Sequence, residues 1–517
     1  MRHRVSVLAR CRKLAALGPL CALAASAAAN PRPEAPQERV PPEVQSLVDA
    51  ALSLPVEYQS DILIGLAEKG KLQHGRLGAQ SLEDIFNHAG EAKMSYPKIE
   101  GVPTGDTLSA RQAAAFELGL DTLSIQCRVV RVMLDRSAAK ARELFARIEH
   151  PSPPQADCEQ PLISSVRIYY DTLGALFDRA YTQPERQHGD DTQLLMQAIG
   201  EIRSIEELVP AADMLVRLKV RPTDWGGLVG LFTGALASVE GSDRTFSYAE
   251  GRLVLSKAVQ GLLEREAGYH LSAGGLVQAY RKFLVRQLSG PRCADSLTLK
   301  GNDSRRFFNE VLLPFYADRS LVIPPEAARP SRVLGSARVL QLQLPSLSAV
   351  IHELDLLKNS PDGQMHEHGA WEETVSATLR GLEDSSDGPD TCPECIFHQK
   401  AMAYLVLVDL VPAGPMQDAL ANSYLNFLAA DRMQWSDPME WLEHLKYLLR
   451  LTAKLTQQDR DRIADLHRRG KVLNMLPGEH AAELLAKMRN SRNTLISTYA
   501  LEETLFPSPY QVPALPK

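Results

Sequence analysis

Cys392 and Cys395 in "TCPECIFHQK", followed three positions later by His398, are the residues of this chain whose types and spacing come nearest to chemistry. A Cys-x-x-Cys pair can cycle between dithiol and disulfide, supply half of a tetrahedral zinc site, or staple a turn. For zinc, the remaining ligands would come from His398 and from His366 and His368 in the upstream "GQMHEHGAW". The flanking residues predict where the pair sits. "DSSDGPDT" (384–391) reads as an acidic loop, Asp390 or Thr391 as an N-cap, and Pro393 and Glu394 as the first turn of a helix running to Leu410. At such a helix start the positive end of the dipole favours a thiolate.

That placement resembles the Cys-x-x-Cys of thiol–disulfide oxidoreductases, but no strand precedes it and no strand–helix alternation surrounds it. The expectation is a disulfide stiffening a helix start. The chain has seven cysteines. Cys11 and Cys21 fall in the N-terminal leader described below, which leaves an odd number. Cys127 shares a helical face with Leu123, Val130 and Leu134, as a buried free thiol would. Cys158 in "PPQADCEQP" and Cys293 in "GPRCADS" flank predicted helices and are expected to pair. Their bond would close a loop of roughly 135 residues, worth about 4–5 kcal/mol in chain-entropy terms, and would make 158–293 a unit.

Other motifs fail on inspection. "IHELDLL" (351–357) has the start of a zinc-protease His-Glu-x-x-His, but Leu356 stands where the second imidazole must be. The glycine pairs lack the Lys-Ser/Thr of a phosphate loop, and no Gly-x-Ser-x-Gly elbow occurs, so no cofactor is expected. "RKFLVRQ" (281–287) puts Lys282 and Arg286 on one helical face beside Arg281, which reads as a solvated face or a local site for an acidic partner. Trp435 and Trp441 in "MQWSDPMEWLEHL" flank a turn and are candidates for a surface contact.

The N-terminal segment reads as a secretory signal. Arg2, Arg4, Arg10, Arg12 and Lys13 precede a short apolar stretch and then Ala27-Ala28-Ala29. Leu20 before Cys21 does not fit a lipobox. Removing the five cations takes the net charge from −6 to about −11, which argues against nucleic acid or a broad anionic surface as partner. The apolar stretch is too short to span a bilayer, and no stable membrane span is expected. The expected location is periplasmic or extracellular.

The elements that must position these residues are helices. Apolar residues recur at helical spacing at 43–54, 55–70, 110–134, 138–149, 162–182, 192–202, 223–239, 248–266, 273–288, 305–315, 346–358, 370–382, 395–410, 416–430, 438–455, 458–468 and 479–500. Period-two alternation is confined to "VLQLQL" (339–344). In 223–239, Gly226, Gly230 and Gly234 share a face, which predicts a fully buried helix approached closely by its neighbours. Ala141, Phe145 and Pro153 have the spacing of the second half of a tetratricopeptide repeat. The chain thus loosely resembles exported bacterial helical-repeat proteins of the tetratricopeptide or HEAT type. Arg128 and Val129 depart from that pattern, no second copy follows, and the chain falls in no functional family.

The expected fold is all-α, an irregular array of stacked helical hairpins with extended proline-rich ends. The division is a signal peptide (1–29), a tether (30–42), helical regions at 43–157, 158–330 and 331–504, and a tail (505–517). The expected function is an exported, non-catalytic scaffold for a protein or peptide partner. The alternative is a polysaccharide hydrolase or lyase on an (α/α) toroid, although aromatic residues make up only 6% of the chain, with four Trp.

Overall fold

The computed structural model describes residues 41–71, 76–101, 107–296, 303–316, 318–337, 368–384, 393–411, 414–453 and 478–507. All belong to one structural unit, Val40–Lys517. "VLQLQL", the leader, the tether and the predicted helices at 346–358 and 458–468 lie outside these residues.

The chain starts with α1 (Pro42–Leu52) and α2 (Val56–Glu68), each entered through a proline. They are followed by α3 (Arg76–His88), β1 (Lys98–Glu100) and α4 (Leu108–Ala115). The predicted helix 110–134 is broken. Gly119 at φ 65° ends a 3-10 turn, and the buried Asp121 then caps α5 (Thr122–Leu134), accepting from the Ser124 N–H at 2.9 Å. α6 (Ala138–Phe145) packs on α5. The predicted helix 162–182 is likewise shortened. Leu162–Ser164 form β2, antiparallel to β1 with Ile99 opposite Ile163, and α7 (Arg167–Arg179) follows.

The next helices are α8 (Gln183–His188), α9 (Asp190–Gly200), α10 (Ile205–Arg217), α11 (Pro222–Ser238), α12 (Asp243–Glu250), α13 (Val254–Gly268) and α14 (Gly274–Ser289). α3, α8 and α10 fall outside the predicted helices, although a capping box of Ser204 and Glu207 marks the start of α10. α11 is not buried all round. Trp225, Leu228, Phe232 and Leu236 face the core, while Gly226, Gly230 and Gly234 are exposed with open space around them. The glycine stripe is therefore not a packing seam. Beyond β3 (Pro291–Cys293), α15 (Asp303–Phe307) runs into a π-helical turn, and β4 (Arg332–Leu334) pairs in parallel with β3.

The C-terminal helices are α16 (His368–Asp384), α17 (Pro393–Leu410), α18 (Pro415–Ala430), α19 (Met433–Ser436), α20 (Pro438–Leu451), α21 (Gly478–Arg489) and α22 (Thr494–Leu505). They pack back onto the beginning of the chain: α22 on α1 and α2, and α20 on α2 and α4. α2 is consequently buried on every side, including Glu57, Gln59, Ser60 and Asp61. Lys446 of α20 approaches Asp61 at 2.6 Å, and the Tyr499 hydroxyl of α22 donates to it at 3.1 Å. Tyr58 donates to the Gln434 carbonyl at 2.6 Å and meets Trp441 edge-on at 5.8 Å.

Cys158 and Cys293 form a disulfide with Cα atoms 5.4 Å apart. Beside it the fully buried Arg244 donates to the Cys158 carbonyl and pairs with Asp295 at 2.9 Å. Cys127 is a buried free thiol, pushed up to about 12 by its burial. No helix among the described residues is long and apolar enough to cross a membrane.

Two outcomes follow from this packing. Replacing Cys158 or Cys293 by serine should lower the free energy of urea unfolding by about 2–5 kcal/mol, and reductant should destabilise the native chain by more than it does the variants, which keep the Cys395 bond. The second concerns Glu502 of α22, whose carboxyl is pushed from its ordinary 4.5 to about 7, first by burial and then by Asp61. The folded state therefore holds a proton that the unfolded chain has released, so stability is greatest at low pH and falls as pH rises through 7. The free energy of urea unfolding should decline between about pH 5 and pH 8, by roughly 1–3 kcal/mol for this group. Glu206 and Glu266, raised to about 7 mainly by burial, add to the decline. Glu502→Gln should flatten its own share, and an unchanged slope would contradict the assignment.

Candidate functional site

A cleft of about 1540 Å³ opens where α2, β1, α4, α5 and α7 converge. α5 presents Arg128, Arg131 and Val132 at the i, i+3, i+4 spacing of one helical face, with Asp135 and Arg136 just beyond its end. α7 contributes Arg167, Ile168, Asp171 and Arg179. The α4 wall is built from Ala110, Ala113 and Ala114, whose small side chains leave the space open. Phe116 and a 42%-exposed Tyr248 add apolar surface.

Most of the cleft's carboxylates are engaged. Glu68 at the end of α2 pairs with Arg128 at 3.2 Å, and Asp135 pairs with Arg179. Asp171 accepts from Arg217 of α10 at 2.6 Å, while Arg167 reaches Asp213 of α10 at 2.9 Å. Glu100 accepts from the hydroxyls of Thr107 at 3.3 Å and Ser109 at 3.4 Å. Arg128 also donates to the Leu118 carbonyl at 3.1 Å, which fixes its guanidinium against the 3-10 turn.

Arg131 and Arg136 differ. Neither has an acidic partner among the described residues. The Arg136 Nη2 is buried with no acceptor, and burial lowers the pKa of this guanidinium. A cation held partly out of water with unused donors is a ready-made contact for an anionic group. Lys98, also lowered by its burial, completes the basic lining.

The residues singled out from sequence lie elsewhere. Cys395 is disulfide-bonded, whereas Cys392 lies outside the described residues. So do His366 and the side chain of His368. His398 is fully buried, with its Nδ1 against Glu440 of α20, so it is a core residue rather than a ligand beside Cys395. No group of three or more metal-binding side chains occurs among the described residues. Trp441 is also a correction: it is fully buried, its indole N–H donating to the Leu428 carbonyl at 3.0 Å. Trp435 is 53% exposed and edges a separate groove of about 550 Å³ with Pro55 and Arg492. In "RKFLVRQ", Arg286 donates to carbonyls at the end of α11, including Val239 at 2.7 Å, and Arg281 donates to the Leu321 carbonyl at 2.7 Å. These arginines cap backbone.

The cleft arginines were not singled out, because they come from separate segments and alternate with acids. One signal was present: "SIQCRVVRVMLDR" places Arg128, Arg131 and Arg136 along a helix that is otherwise apolar. No protein-family model matches the chain, and comparison with curated proteins finds no match.

Proposed function

We propose that this chain is an exported, non-catalytic binding module that grips a segment of a partner protein in the arginine-lined cleft. The observation that carries the reading is the cleft itself. Its volume of about 1540 Å³ exceeds the roughly 300–1,000 Å³ usual for small-molecule pockets, and its lining mixes apolar wall with fixed cations. A stretch of polypeptide, with backbone and alternating side chains, suits such a surface. Export accords with the leader sequence and with the Cys158–Cys293 disulfide.

The polysaccharide hydrolase or lyase draws less support. Such an enzyme needs a carboxylate free to act as acid, base or nucleophile. Among the described lining residues Glu68, Asp135 and Asp171 are each held by an arginine and Glu100 accepts from hydroxyls, which leaves Glu117 rather than the pair of carboxylates such hydrolysis uses, and no tryptophan is present on which a sugar ring could stack.

Selection from a library of random peptides about twelve residues long, displayed against the full chain, tests this reading. Retained peptides should lose at least about tenfold in affinity for Ala114→Trp, which fills the cleft from α4, with helical content unchanged. Retention of no peptide, equal binding by the variant, or release of new sugar ends from a polysaccharide would overturn it.

A further inference from the structure

A second groove adjoins the cleft at Arg167, and cations line both. A groove of about 520 Å³ lies between α7, α10 and α13. Arg167 lines both it and the larger cleft. Within the second groove Arg167 and Asp213 are paired, and Arg217 is taken up by Asp171. Arg252 and Lys257 remain, exposed and with no acidic partner among the described residues. Val216 and Val254, 36% and 40% exposed, supply apolar surface between the charges.

Arg252 is held there by an unusual backbone. Arg252 at φ 56° and Leu253 at φ 61° are consecutive left-handed residues that join α12 to α13, and neither is glycine. Each costs about 1 kcal/mol relative to ordinary helical backbone. The strain falls where the chain presents a cation to the groove. Such local strain persists when the surrounding structure over-determines it and clusters at binding sites.

Resting on the reading of the cleft as a peptide groove, we infer that its ligand is an extended acidic segment. That segment runs from Arg131 and Arg136, past Arg167, to Arg252 and Lys257. The four terminal cations of the track have no acid of their own, in a chain whose net charge is −6. The paired arginines between them, Arg128, Arg167 and Arg179, are already oriented by Glu68, Asp213 and Asp135. They can accept further carboxylates without ordering long side chains first. A basic track on an acidic molecule would speed encounter with an acidic segment and give binding that weakens with salt. Ile168, Val132 and Val254 suit apolar residues interspersed among the acids.

Fluorescence anisotropy on the full chain with three probes tests the inference. The probes are a peptide of about twelve residues mixing Glu, Asp and Leu, its Gln/Asn counterpart, and a sulfated oligosaccharide of similar charge. The acidic peptide should bind at least about tenfold tighter than its amide counterpart at low salt, and the gap should close as ionic strength approaches about 0.5 M. Arg136→Gln and Arg252→Gln should each weaken it by roughly threefold to fivefold, and together by the product. Equal binding of acidic and amide peptides, both blocked by Ala114→Trp, would overturn the acidic assignment and leave the peptide groove standing. Binding of the oligosaccharide alone, sensitive to Arg136→Gln, would overturn both. The probe comparison decides even if an arginine variant fails to fold.

Discussion

The structure depends on how a buried carboxylate is satisfied. Asp61 sits in the buried body of α2, which meets solvent chiefly at its end, and a lone carboxylate there would cost several kcal/mol. Lys446 and Tyr499 supply its counter-charge and hydrogen bond from α20 and α22, across sequence separations of 385 and 438 residues. The end of the chain thus completes the environment of its beginning. Glu57 is handled similarly, accepting from the Lys93 N–H at 2.8 Å. Losing one partner of such a buried pair typically costs about 3–5 kcal/mol, far more than a surface ion pair contributes.

The cleft inherits this constraint. Its walls include the end of α2, through Ala67, Glu68 and Gly70, and α4, which packs on α20. Both walls therefore lean on C-terminal helices that do not themselves line the cleft. The opposite wall, α7, is held through paired contacts with α10, where Arg167 meets Asp213 and Asp171 meets Arg217. The arginines that could meet a ligand are thus mounted on helices whose positions are fixed by burial and ion pairs, as a preformed binding surface requires.

Much of the helical content was legible, because proline entries, caps and apolar spacing are local signals. The entries of α1 and α2, the buried face of Cys127 and the loop positions of Cys158 and Cys293 could all be read from a few neighbouring residues. The misses have physical causes. Gly119 and Asp121 together end one helix and cap the next, yet the apolar spacing runs through them. Pro210 inside α10 concealed that helix despite its capping box. The total burial of α2 could not be read from its single apolar stripe, because the groups that neutralise its polar face lie at the other end of the sequence. Gly226, Gly230 and Gly234 mimic a packing seam, but nothing approaches them. The cleft arginines acquire meaning only when β1, α4, α5 and α7 come together, while of the conspicuous "TCPECIFHQK" residues Cys395 is disulfide-bonded near a helix start and His398 is a core residue.

Hydrogen exchange, residue by residue, on the native chain and on Asp61→Asn tests the central claim most directly. The account predicts that α2, α4, α20 and α22 lose protection together in the variant, while α11 and α14 keep theirs, because the clasp is a cooperative unit linking both ends of the chain. Loss confined to α20 and α22, with α2 and α4 as protected as before, would contradict it and would detach the cleft from the C-terminal helices.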